Sequence, residues 1–444
     1  MTGVAAQTTA ILGLGVTGLS CVRRLHGRDR LIVVDTRAHP PGLEALLSAY
    51  PDVERHLGEA VVDLSHVDRV IVSPGVGLDS CLLQNLPEHV QLTSDIDLFC
   101  EAAQAPILSI TGTNGKSTVT ALTGHLLAAA GVQVQVGGNL GQPALDLLDP
   151  AAQAYALELS SFQLERLQPH RFDAASCLNV TEDHLDRHGS MTAYVASKQR
   201  IYRNCGRAVA NRSDRNTLPE ASVDELVTFG LDAPEADHWG IRTDSGRRWI
   251  ALGERLVIPC DELPLAGRHN ELNVQAALAL LEGRWASAEQ LIEGLRSFRG
   301  LPHRCERVAV VSGVAYINDS KGTNVGATEA ALAGFGTEGV RNLILIAGGD
   351  GKGADFSPLQ VPVGQFVKAA ILLGRDADRL AASLADSTQI HRVPDMDQAV
   401  ELAARLAGAG DLVLLSPACA SLDMYRNYEA RGQHFTRAVE ALAS

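Results

Sequence analysis

The first hundred residues alternate apolar runs with a segment of helical spacing. "TTAIL" at 8–12 is apolar, "GVTGLSCVRRLHG" at 15–27 has the spacing of a helix, and "LIVV" at 31–34 is a second apolar run that ends at Asp35. Apolar runs on either side of a helix predict a strand–helix–strand unit with parallel strands, as in a Rossmann-like domain. The stretch "VDRVIVSPGVG" at 67–77 predicts a further strand that ends in a glycine-rich turn.

The middle of the chain repeats this alternation. "APILSI" at 105–110 predicts a buried strand, and "TVTALTGHLLAAAG" at 118–131 predicts an amphipathic helix that ends at a glycine. Two more strands are expected in "AYALELSSF" at 154–162 and "DAASCLNV" at 173–180. The helix predicted from "NELNVQAALALLE" at 270–282 closes the segment.

The last third alternates again. Strands are predicted at "GVAYIND", "NLILIAGG", "AAILLG" and "DLVLLSP", and helices at "VGATEAALAGF", "DADRLAASLA" and "MDQAVELAARLAGAG". Strands that alternate with helices predict a mostly parallel sheet. No short-period repeat or low-complexity linker interrupts the chain.

The expected fold class is therefore α/β with three domains. A chain of 444 residues exceeds one ordinary domain, and a length of about 150 residues per domain suggests three. We predict a Rossmann-like domain at 1–94, a central domain with a mostly parallel sheet of the P-loop ATPase type at 95–299, and a Rossmann-like domain at 300–444.

Composition narrows the class of function. The formal charge of −14 and the absence of Lys/Arg runs argue against a general binder of nucleic acid or membrane surfaces. The N-terminal residues show no signal-peptide pattern, and no apolar run approaches the roughly 18 residues of a membrane span. Eight cysteines without a Cys-x-x-Cys pair are typical of reduced thiols in the cytoplasm. Cys419 in "SPACAS" could be a nucleophile, but a small buried side chain is the simpler interpretation.

Two glycine-rich turns follow predicted strands. Gly13-x-Gly15-x-x-Gly18, with Asp35 at the end of the next strand, favours a nucleotide site, although a tight turn without a ligand remains the alternative. "TGTNGKST" at 111–118 lies between a strand and a helix, where a phosphate-binding loop would place Lys and Ser. The usual pattern of such loops requires a glycine at 110, where this chain has isoleucine.

Candidate ligands for a divalent ion follow the second turn. Carboxylates and an imidazole near a phosphate loop suit this chemistry. The candidates are Glu158, Asp183, His184, Asp186 and His188, and Lys198 follows them in "ASKQRIY". Each has a plainer alternative: Glu158 could cap a helix, His184 could be a core histidine, and Lys198 could be a surface residue. The chain has five lysines, at 116, 198, 321, 352 and 368, and four of them stand in polar or glycine-rich motifs, which suggests positions that need a primary amine.

These motifs resemble, in order along the chain, those of the ATP-dependent Mur ligases, a family that includes the folylpolyglutamate synthetases. The resemblance rests on "TGTNGKST", "GGNLGQP", "ELSSFQLE", "NVTEDHLDRH", "GRHNELNVQAALA", "LPHR" and "NDSKGTN". In that family the phosphate loop is TGTNGK[ST], so Ile110 is ordinary. The ends of the chain, including "ILGLGVTGLSCVRRL", "GGDGKGADF" and "LLSPACASLDMYRNYEARGQHF", resemble the member that joins D-glutamate to UDP-N-acetylmuramoyl-L-alanine.

The resemblance implies roles for residues of the first two domains. The uridine nucleotide would be bound by Val16, Thr17, Asp35, Thr36 and Arg37. ATP phosphates would be bound by Gly112, Thr113, Asn114, Gly115, Lys116, Ser117 and Thr118. Magnesium, with two ions expected, would lie among Ser117, Glu158, His184 and Lys198, the last as a carbamate. Asn139 would contact the substrate near its reacting end, and the catalytic set would be Lys116, Asn139, His184 and Lys198.

It implies roles in the rest of the chain as well. Adenine would be contacted by Asn270 and Asn273, and ATP would also be bound by Arg304, Asp319 and Lys321. D-glutamate would be bound by Thr323, Lys352, Ser421 and Tyr428. Tyr428 replaces the phenylalanine expected there, which keeps the ring and adds a hydroxyl group.

The implied activity is a step of peptidoglycan-precursor synthesis in the cytoplasm by a monomeric acid–D-amino-acid ligase. ATP would phosphorylate the L-alanine carboxylate, and the amine of D-glutamate would then displace phosphate. Two other interpretations stay open: a ligase that adds a different amino acid, and a nucleotide-binding regulator without catalysis.

Overall fold

The computed structural model describes residues 7–77, 79–84, 86–220, 222–265, 267–337 and 339–442. The chain forms two compact units. Unit 1 comprises Met1–Val180, His184–Thr228 and Ala276–Ser287, and unit 2 comprises Thr181–Asp183, Phe229–Gln275 and Ala288–Ser444. The first predicted domain therefore lies in unit 1, whereas the second, predicted at 95–299, is divided between the two units.

The N-terminal part of unit 1 is a five-stranded sheet with helices. Its strands are β1 (Thr8–Leu12), β2 (Arg30–Asp35), β3 (Glu54–Leu57), β4 (Arg69–Val72) and β5 (Gln91–Thr93), and its helices are α1 (Val16–Leu25), α2 (Leu43–Ala49) and α3 (Asp95–Ala102). The strand order is β3-β2-β1-β4-β5, and all four pairings are parallel. This is the Rossmann-like arrangement predicted from sequence. Because both faces are covered, β1 and β2 are apolar and buried almost throughout.

A six-stranded sheet forms the rest of unit 1. Its strands are β6 (Ile107–Thr111), β7 (Val134–Gly138), β8 (Ala154–Glu158), β9 (Phe172–Cys177), β10 (Cys205–Asn211) and β11 (Glu225–Phe229). The order is β11-β10-β9-β6-β8-β7, and β10/β9, β9/β6, β6/β8 and β8/β7 pair in parallel. The mostly parallel central sheet is therefore confirmed.

Five helices accompany this sheet. They are α4 (Lys116–Ala129), α5 (Ser161–Leu164), α6 (Leu185–His188), α7 (Met191–Gln199) and the C-terminal part of α8 (Arg268–Leu281), whose residues 268–275 belong to unit 2. Nine of the 14 residues of α4 are buried, among them four of its polar ones. The expectation of an amphipathic α4 was wrong, because the helix is enclosed on most of its circumference.

Unit 2 begins with a three-stranded antiparallel sheet that the sequence patterns did not predict. It consists of β12 (Trp239–Asp244), β13 (Arg247–Leu252) and β14 (Arg255–Pro259), followed along the chain by α9 (Ala288–Ser297). Its strands are short and rich in charged residues, as is usual for a sheet with a solvated face.

The C-terminal sheet of unit 2 has six strands in the order β15-β16-β20-β17-β18-β19. The strands are β15 (Glu306–Val311), β16 (Val314–Asn318), β17 (Leu343–Gly348), β18 (Val367–Leu373), β19 (Gln389–Arg392) and β20 (Leu412–Leu415). The helices are α10 (Val325–Phe335), α11 (Gln360–Phe366), α12 (Ala377–Leu384), α13 (Met396–Leu406) and α14 (Tyr428–Leu442). Only β15 pairs antiparallel, with β16. Across the described part of the chain, no helix is both long and apolar enough to cross a membrane.

In the first glycine motif, Gly18 is closely packed and Gly15 is not, so substitutions at these two glycines test the structural role of the motif. A Cβ atom on Gly18 would lie 2.0 Å from the Gly13 carbonyl oxygen, whereas a Cβ atom on Gly15 would meet nothing within 4 Å. We expect Gly18→Ala to lower the free energy of unfolding by about 1–3 kcal/mol through overpacking. Gly15→Ala, the matched control, should change it by less than about 0.5 kcal/mol. Urea unfolding curves measure both, and equal stability of the two variants would contradict this packing.

Candidate active site

Neighbouring parallel strands of the central sheet bring the predicted residues to one edge. In the registers of these strands, Glu158 of β8 lies opposite Ile110 of β6 and Gly138 of β7. Thr111, the last residue of β6, lies opposite Cys177 of β9. The carboxyl ends of these four strands meet at one edge of the sheet, which is where ligands bind in open α/β sheets.

The turn between β6 and α4 has the backbone of a phosphate-binding loop. Gly112 and Gly115 have φ angles of 148° and 83°, which a side chain would disfavour. A Cβ atom on Gly112 would also lie 3.1 Å from the Leu178 side chain. Helix α4 begins at Lys116 and extends for 14 residues. Its N-terminus therefore presents backbone N–H groups and a positive dipole end, which suit phosphate oxygens.

Residues outside the turn hold its shape. The Asn179 side chain accepts a hydrogen bond from the Asn114 backbone N–H (2.8 Å) and donates to the Asn114 carbonyl oxygen (3.0 Å). The Thr113 N–H donates to the Asn179 carbonyl oxygen at 2.8 Å. The Thr113 hydroxyl group lies 3.1 Å from the Tyr194 hydroxyl group. Neither Asn179 nor Tyr194 was among the site residues expected from the sequence.

Two lysines reach the same loop from different helices. The Lys116 ammonium group donates to the carbonyl oxygens of Gly112 (2.9 Å) and Thr113 (2.8 Å). The Lys198 ammonium group, from α7, donates to the Gly112 carbonyl oxygen at 2.7 Å. Lys198 is 1% exposed and its amine lies 4.6 Å from the centre of the Tyr194 ring. The alternative of a surface lysine at 198 is therefore wrong.

The two carboxylate oxygens of Glu158 have different surroundings. Its Oε1 accepts a hydrogen bond from the Asn139 side chain at 2.6 Å. Its Oε2 is buried and has no hydrogen-bond partner among the described residues. A buried carboxylate oxygen without a partner is costly in a finished structure. Ser160 caps α5 with its own side chain, so the geometry does not support the alternative that Glu158 caps a helix. Its buried Oε2 atom is instead suited to bind a cation.

The residues present fit a magnesium ion that takes part of its coordination from phosphates. Ser117, Glu158 and the amine of Lys198 belong to this edge of the sheet, and carboxylate and hydroxyl oxygens are ligands that Mg²⁺ prefers. Within the described ranges, no three His, Cys, Asp or Glu side chains converge as a preformed metal cluster. This agrees with an ion of the kind that binds through one or two carboxylates plus substrate phosphates.

The segment at 183–188 does not form the compact ligand group that its composition suggested. His184 has a φ angle of 54° and precedes α6; its ring is exposed and lies 4.9 Å from the Phe162 ring, so it is not a core histidine. Asp186 is exposed. The His188 ring bonds the Ser161 hydroxyl group at 3.0 Å, and burial lowers its pKa. Of this segment, His184 remains the candidate ligand.

The first glycine motif has an organised acidic residue beside it. Asp35 is 2% exposed and accepts hydrogen bonds from the Leu14 N–H and from the Arg37 backbone and guanidinium group at 2.7–2.9 Å. Burial raises the pKa of Asp35, but the bonds from Arg37 and Leu14 outweigh this and leave the pKa below its usual value. Val16 is 69% exposed, so α1 presents it to solvent. Thr17 lies next to Val16 on α1, and Thr36 lies between Asp35 and Arg37.

Unit 2 gathers the residues predicted to bind ATP from the third domain. Asp319 follows β16, is buried, and accepts hydrogen bonds from the Ser416 hydroxyl group (2.8 Å) and the Cys305 N–H (3.3 Å). Burial raises the pKa of Asp319 to about 6. The Lys321 amine lies 4.2 Å from the centre of the Tyr428 ring. Arg304 stands between His303 and Cys305, which have positive φ angles of 63° and 50°.

The remaining predicted residues lie in two kinds of position. Thr323, Lys352 and Ser421 are in loops that follow strands of the C-terminal sheet, and Asn270 and Asn273 are near the start of α8. The Thr323 N–H donates to the Lys321 carbonyl oxygen at 2.8 Å, and Ser421 is buried. Lys352 is exposed, has a φ angle of 50°, and its N–H donates to the Asp350 carboxylate at 3.0 Å. Asn270 and Asn273 are buried on α8, where the Asn273 side chain donates to that of Asn270 at 3.0 Å.

Arg431, on α14 beside the C-terminal sheet, is buried and was not among the site residues expected from the sequence. Its guanidinium group donates to the carbonyl oxygens of Ser320 (2.8 Å) and Cys419 (3.1 Å). Burial lowers the pKa of Arg431 to about 10. It thereby joins the loops after β16 and β20. Cys419 is fully buried, and burial raises its pKa to about 12, which excludes the nucleophile interpretation.

Comparison with known proteins defines the class to which this fold and site belong: the chain belongs to the Mur ligase family. The N-terminal domain of MurD-like Mur ligases matches residues 7–92, the Mur ligase middle domain matches 110–281, and the Mur ligase glutamate ligase domain matches 303–419. The three matches follow one another along the chain without overlap.

Full-length relatives carry one name. A UDP-N-acetylmuramoylalanine–D-glutamate ligase of Marinobacter nauticus is 47% identical over 443 residues, covering 99% of each chain. A protein of the same name from Pseudomonas putida is 46% identical over 441 residues, covering 98% of each chain.

Solved structures share the fold. MurF of Acinetobacter baumannii has a TM-score of 0.61 at 16% identity, covering 97% of this chain and 93% of that one. The UDP-N-acetylmuramate–alanine ligase MurC of Thermotoga maritima has a TM-score of 0.59 at 17% identity, covering 98% of this chain and 99% of that one. At such identities the likeness concerns the fold alone.

Proposed function

We propose that this chain is an ATP-dependent ligase that joins the carboxylate of UDP-N-acetylmuramoyl-L-alanine to the amine of D-glutamate, a cytoplasmic step in making the peptidoglycan precursor. One observation carries the proposal. The phosphate loop with Lys116 lies at the same sheet edge as a buried Glu158 oxygen that has no hydrogen-bond partner in the described part of the chain, and the chain's full-length relatives are named as this ligase.

The chemical problem is that a carboxylate is a poor electrophile. In the first step, a carboxylate oxygen of the substrate attacks the γ-phosphorus of ATP, the bond to the bridging oxygen breaks, and ADP leaves with that electron pair. In the second step, the D-glutamate amine attacks the carbonyl carbon and phosphate leaves with its oxygen. The nitrogen loses a proton, so an amide, ADP and inorganic phosphate are the products.

Two anions have to meet in the first step, and the loop residues are suited to offset their repulsion. Lys116 contributes a positive charge beside the loop carbonyl groups, and the N-terminus of α4 contributes its N–H groups. Charge spreads over the oxygens of the transferred phosphoryl group, so fixed donors of this kind favour the transition state. Asn139, which donates a hydrogen bond to Glu158, keeps that carboxylate oriented and would contact the substrate near its reacting end.

Magnesium, with two ions proposed, would be held by Ser117, Glu158, His184 and Lys198, and when bound it neutralises phosphate charge and orients the transferred group. ATP would also be contacted by Asn270, Asn273, Arg304, Asp319 and Lys321, and D-glutamate by Thr323, Lys352, Ser421 and Tyr428. The uridine end of the substrate would contact Val16, Thr17, Asp35, Thr36 and Arg37. We retain the domain boundaries 1–94, 95–299 and 300–444, and a monomer, as part of the proposal.

The function is tested by measuring ADP release with UDP-N-acetylmuramoyl-L-alanine and a panel of amino acids. The proposal expects turnover with D-glutamate and little with L-glutamate, L-lysine, glycine or L-alanine. Turnover with a different amino acid would assign the chain to another ligase. Nucleotide binding without any substrate-dependent ADP release would identify a regulator instead.

Lys352 should determine affinity for D-glutamate. It is an exposed amine in a glycine-rich turn, suited to pair with a side-chain carboxylate. We expect Lys352→Ala to raise the KM for D-glutamate at least about tenfold, because a charge-assisted bond is worth roughly 1.5–3 kcal/mol, while the KM for ATP changes less than twofold. Lys368→Ala is the control, because Lys368 pairs with Asp411 on the surface. An equal rise of both constants in Lys352→Ala would contradict the assignment.

Lys198 should act as a carbamate. An ammonium group cannot bind a cation, whereas the neutral amine adds to CO₂ with loss of a proton and becomes an anion with two oxygens, which suits Mg²⁺. Arginine keeps the positive charge but does not form this adduct under ordinary conditions, so Lys198→Arg should lose most activity and regain part of it with formate or acetate.

The carbamate has a readout independent of turnover. With ¹³C-bicarbonate, the wild-type protein should show a carbamate carbon signal by NMR that Lys198→Arg lacks, and Lys368→Arg, the surface control, should retain it. A fully active Lys198→Arg enzyme, or wild-type protein without the signal in the presence of magnesium and nucleotide, would refute this role.

A further inference from the structure

The turn at residues 73–77 packs against the first glycine motif. The Ser73 hydroxyl group donates to the Gly13 carbonyl oxygen at 2.9 Å. A Cβ atom on Gly13 would lie 3.0 Å from Ser73 and 3.2 Å from Val76. The position of this turn therefore fixes the motif that leads into Val16 and Thr17, the proposed uridine-nucleotide residues.

Two arginines of the central domain bind the outer side of this turn. The Arg166 guanidinium group donates to the carbonyl oxygens of Val76 (2.7 Å) and Ser73 (3.4 Å). The Arg187 guanidinium group donates to the same Val76 carbonyl oxygen at 3.0 Å. The Val76 carbonyl oxygen thus receives hydrogen bonds from two side chains that lie 90 and 111 residues further along the chain.

Glu165 makes the convergence of two cations possible. Its side chain is 6% exposed, it pairs directly with Arg187, and it lies 3.9 Å from the Arg166 guanidinium group. Burial lowers the pKa of Arg166; the nearby Glu165 opposes this effect and Arg187 adds to it. Desolvating charged groups is costly unless geometry and hydrogen bonding are good. A buried cluster of this kind is consequently more than an incidental surface pair.

The Arg187 side chain and the His184 ring pack against the same phenylalanine, Phe162. The Arg187 guanidinium carbon lies 5.1 Å from the centre of the Phe162 ring, and the His184 ring lies 4.9 Å from it. Arg187 also follows His184 by one helical turn, and its N–H donates to the His184 carbonyl oxygen at 3.1 Å. Phe162 therefore packs against both side chains.

We propose that Arg187, held by Glu165, is a positioning residue that fixes the distance between the turn at 73–77 and His184. The inference rests on the proposed function, because that substrate has two ends: a uridine nucleotide to be bound at the first glycine motif, and an L-alanine carboxylate to be presented to the phosphate loop. Such a substrate reacts only when both ends are bound in register. A misplacement of about 1 Å can cost a reaction on the order of a hundredfold.

The test compares a substrate that spans both ends with a ligand that occupies only one. Arg187→Lys keeps the charge but loses the planar guanidinium group that contacts Val76, Glu165 and Phe162 together. We expect it to bind UDP as the wild type does, to bind UDP-N-acetylmuramoyl-L-alanine about tenfold more weakly, and to lower kcat at least about tenfold. The KM values for ATP and D-glutamate should change less than twofold. Calorimetry measures the binding and ADP release the kinetics.

The matched control is Arg171→Lys, which alters an exposed arginine whose pair with Asp224 lies on the surface of the same unit. A second variant, Glu165→Gln, should reproduce the pattern of Arg187→Lys more weakly. Unchanged binding and kinetics in Arg187→Lys would overturn the proposal. An equal loss of affinity for UDP and for the full substrate would also overturn it, since that would show a role confined to the turn. A general loss of thermal stability, with all KM values raised alike, would overturn it as well.

These outcomes separate the inference from the proposed function. If the wild type binds UDP-N-acetylmuramoyl-L-alanine but does not turn over with D-glutamate, the proposed function fails, while the binding comparison still supports or overturns the role of Arg187. If the wild type binds neither UDP nor the full substrate, both fail.

Discussion

The carbonyl oxygen of Gly112 is the point on which the central site depends. It accepts hydrogen bonds from the amines of Lys116 and Lys198, at 2.9 and 2.7 Å. This oxygen is available because Gly112 has a backbone conformation that other residues rarely adopt. Two ammonium groups at one oxygen repel each other, and a triphosphate bound at the loop would reduce that repulsion. The proposed conversion of Lys198 to a carbamate would remove this repulsion and would supply oxygen ligands for magnesium.

The parallel sheet explains how residues distant in sequence reach this point. Strands β7, β8, β6 and β9 lie side by side, so Asn139, Glu158, the phosphate loop and Asn179 all follow strands that end at the same edge. These residues lie at or directly after the strand ends, so no long loop is needed to bring them to this edge. Tyr194 and Lys198 come instead from one buried face of α7. The arrangement concentrates positive charge and N–H donors where a carboxylate and a triphosphate would otherwise repel each other.

Sequence patterns predicted the parts of this site that depend on local spacing. The loop at 111–118, Glu158 at a strand end and the strand–helix alternation all follow from a few neighbouring residues. Asn179 and Arg187 lay in a quoted motif, but their contacts with Asn114 and Val76 depend on strand order and on packing between sheets, which no local pattern encodes. The antiparallel strands β12–β14 were missed because residues such as Arg242, Arg247 and Arg255 interrupt their apolar pattern. The scarcity of lysine was informative: Lys116 and Lys198 converge on one loop oxygen, whereas Lys368 forms a surface ion pair.

The central claim is that the substrate carboxylate itself is activated by phosphorylation at the loop beside Lys116. Substrate labelled with ¹⁸O in both oxygens of the L-alanine carboxylate tests this directly, because one of those oxygens becomes the bridge to phosphorus and leaves with phosphate. Mass spectrometry of the inorganic phosphate formed in a complete reaction with ATP and D-glutamate should show one ¹⁸O atom per phosphate. Phosphate free of label, with one ¹⁸O atom lost to water and the other retained in the amide carbonyl group, would contradict the account.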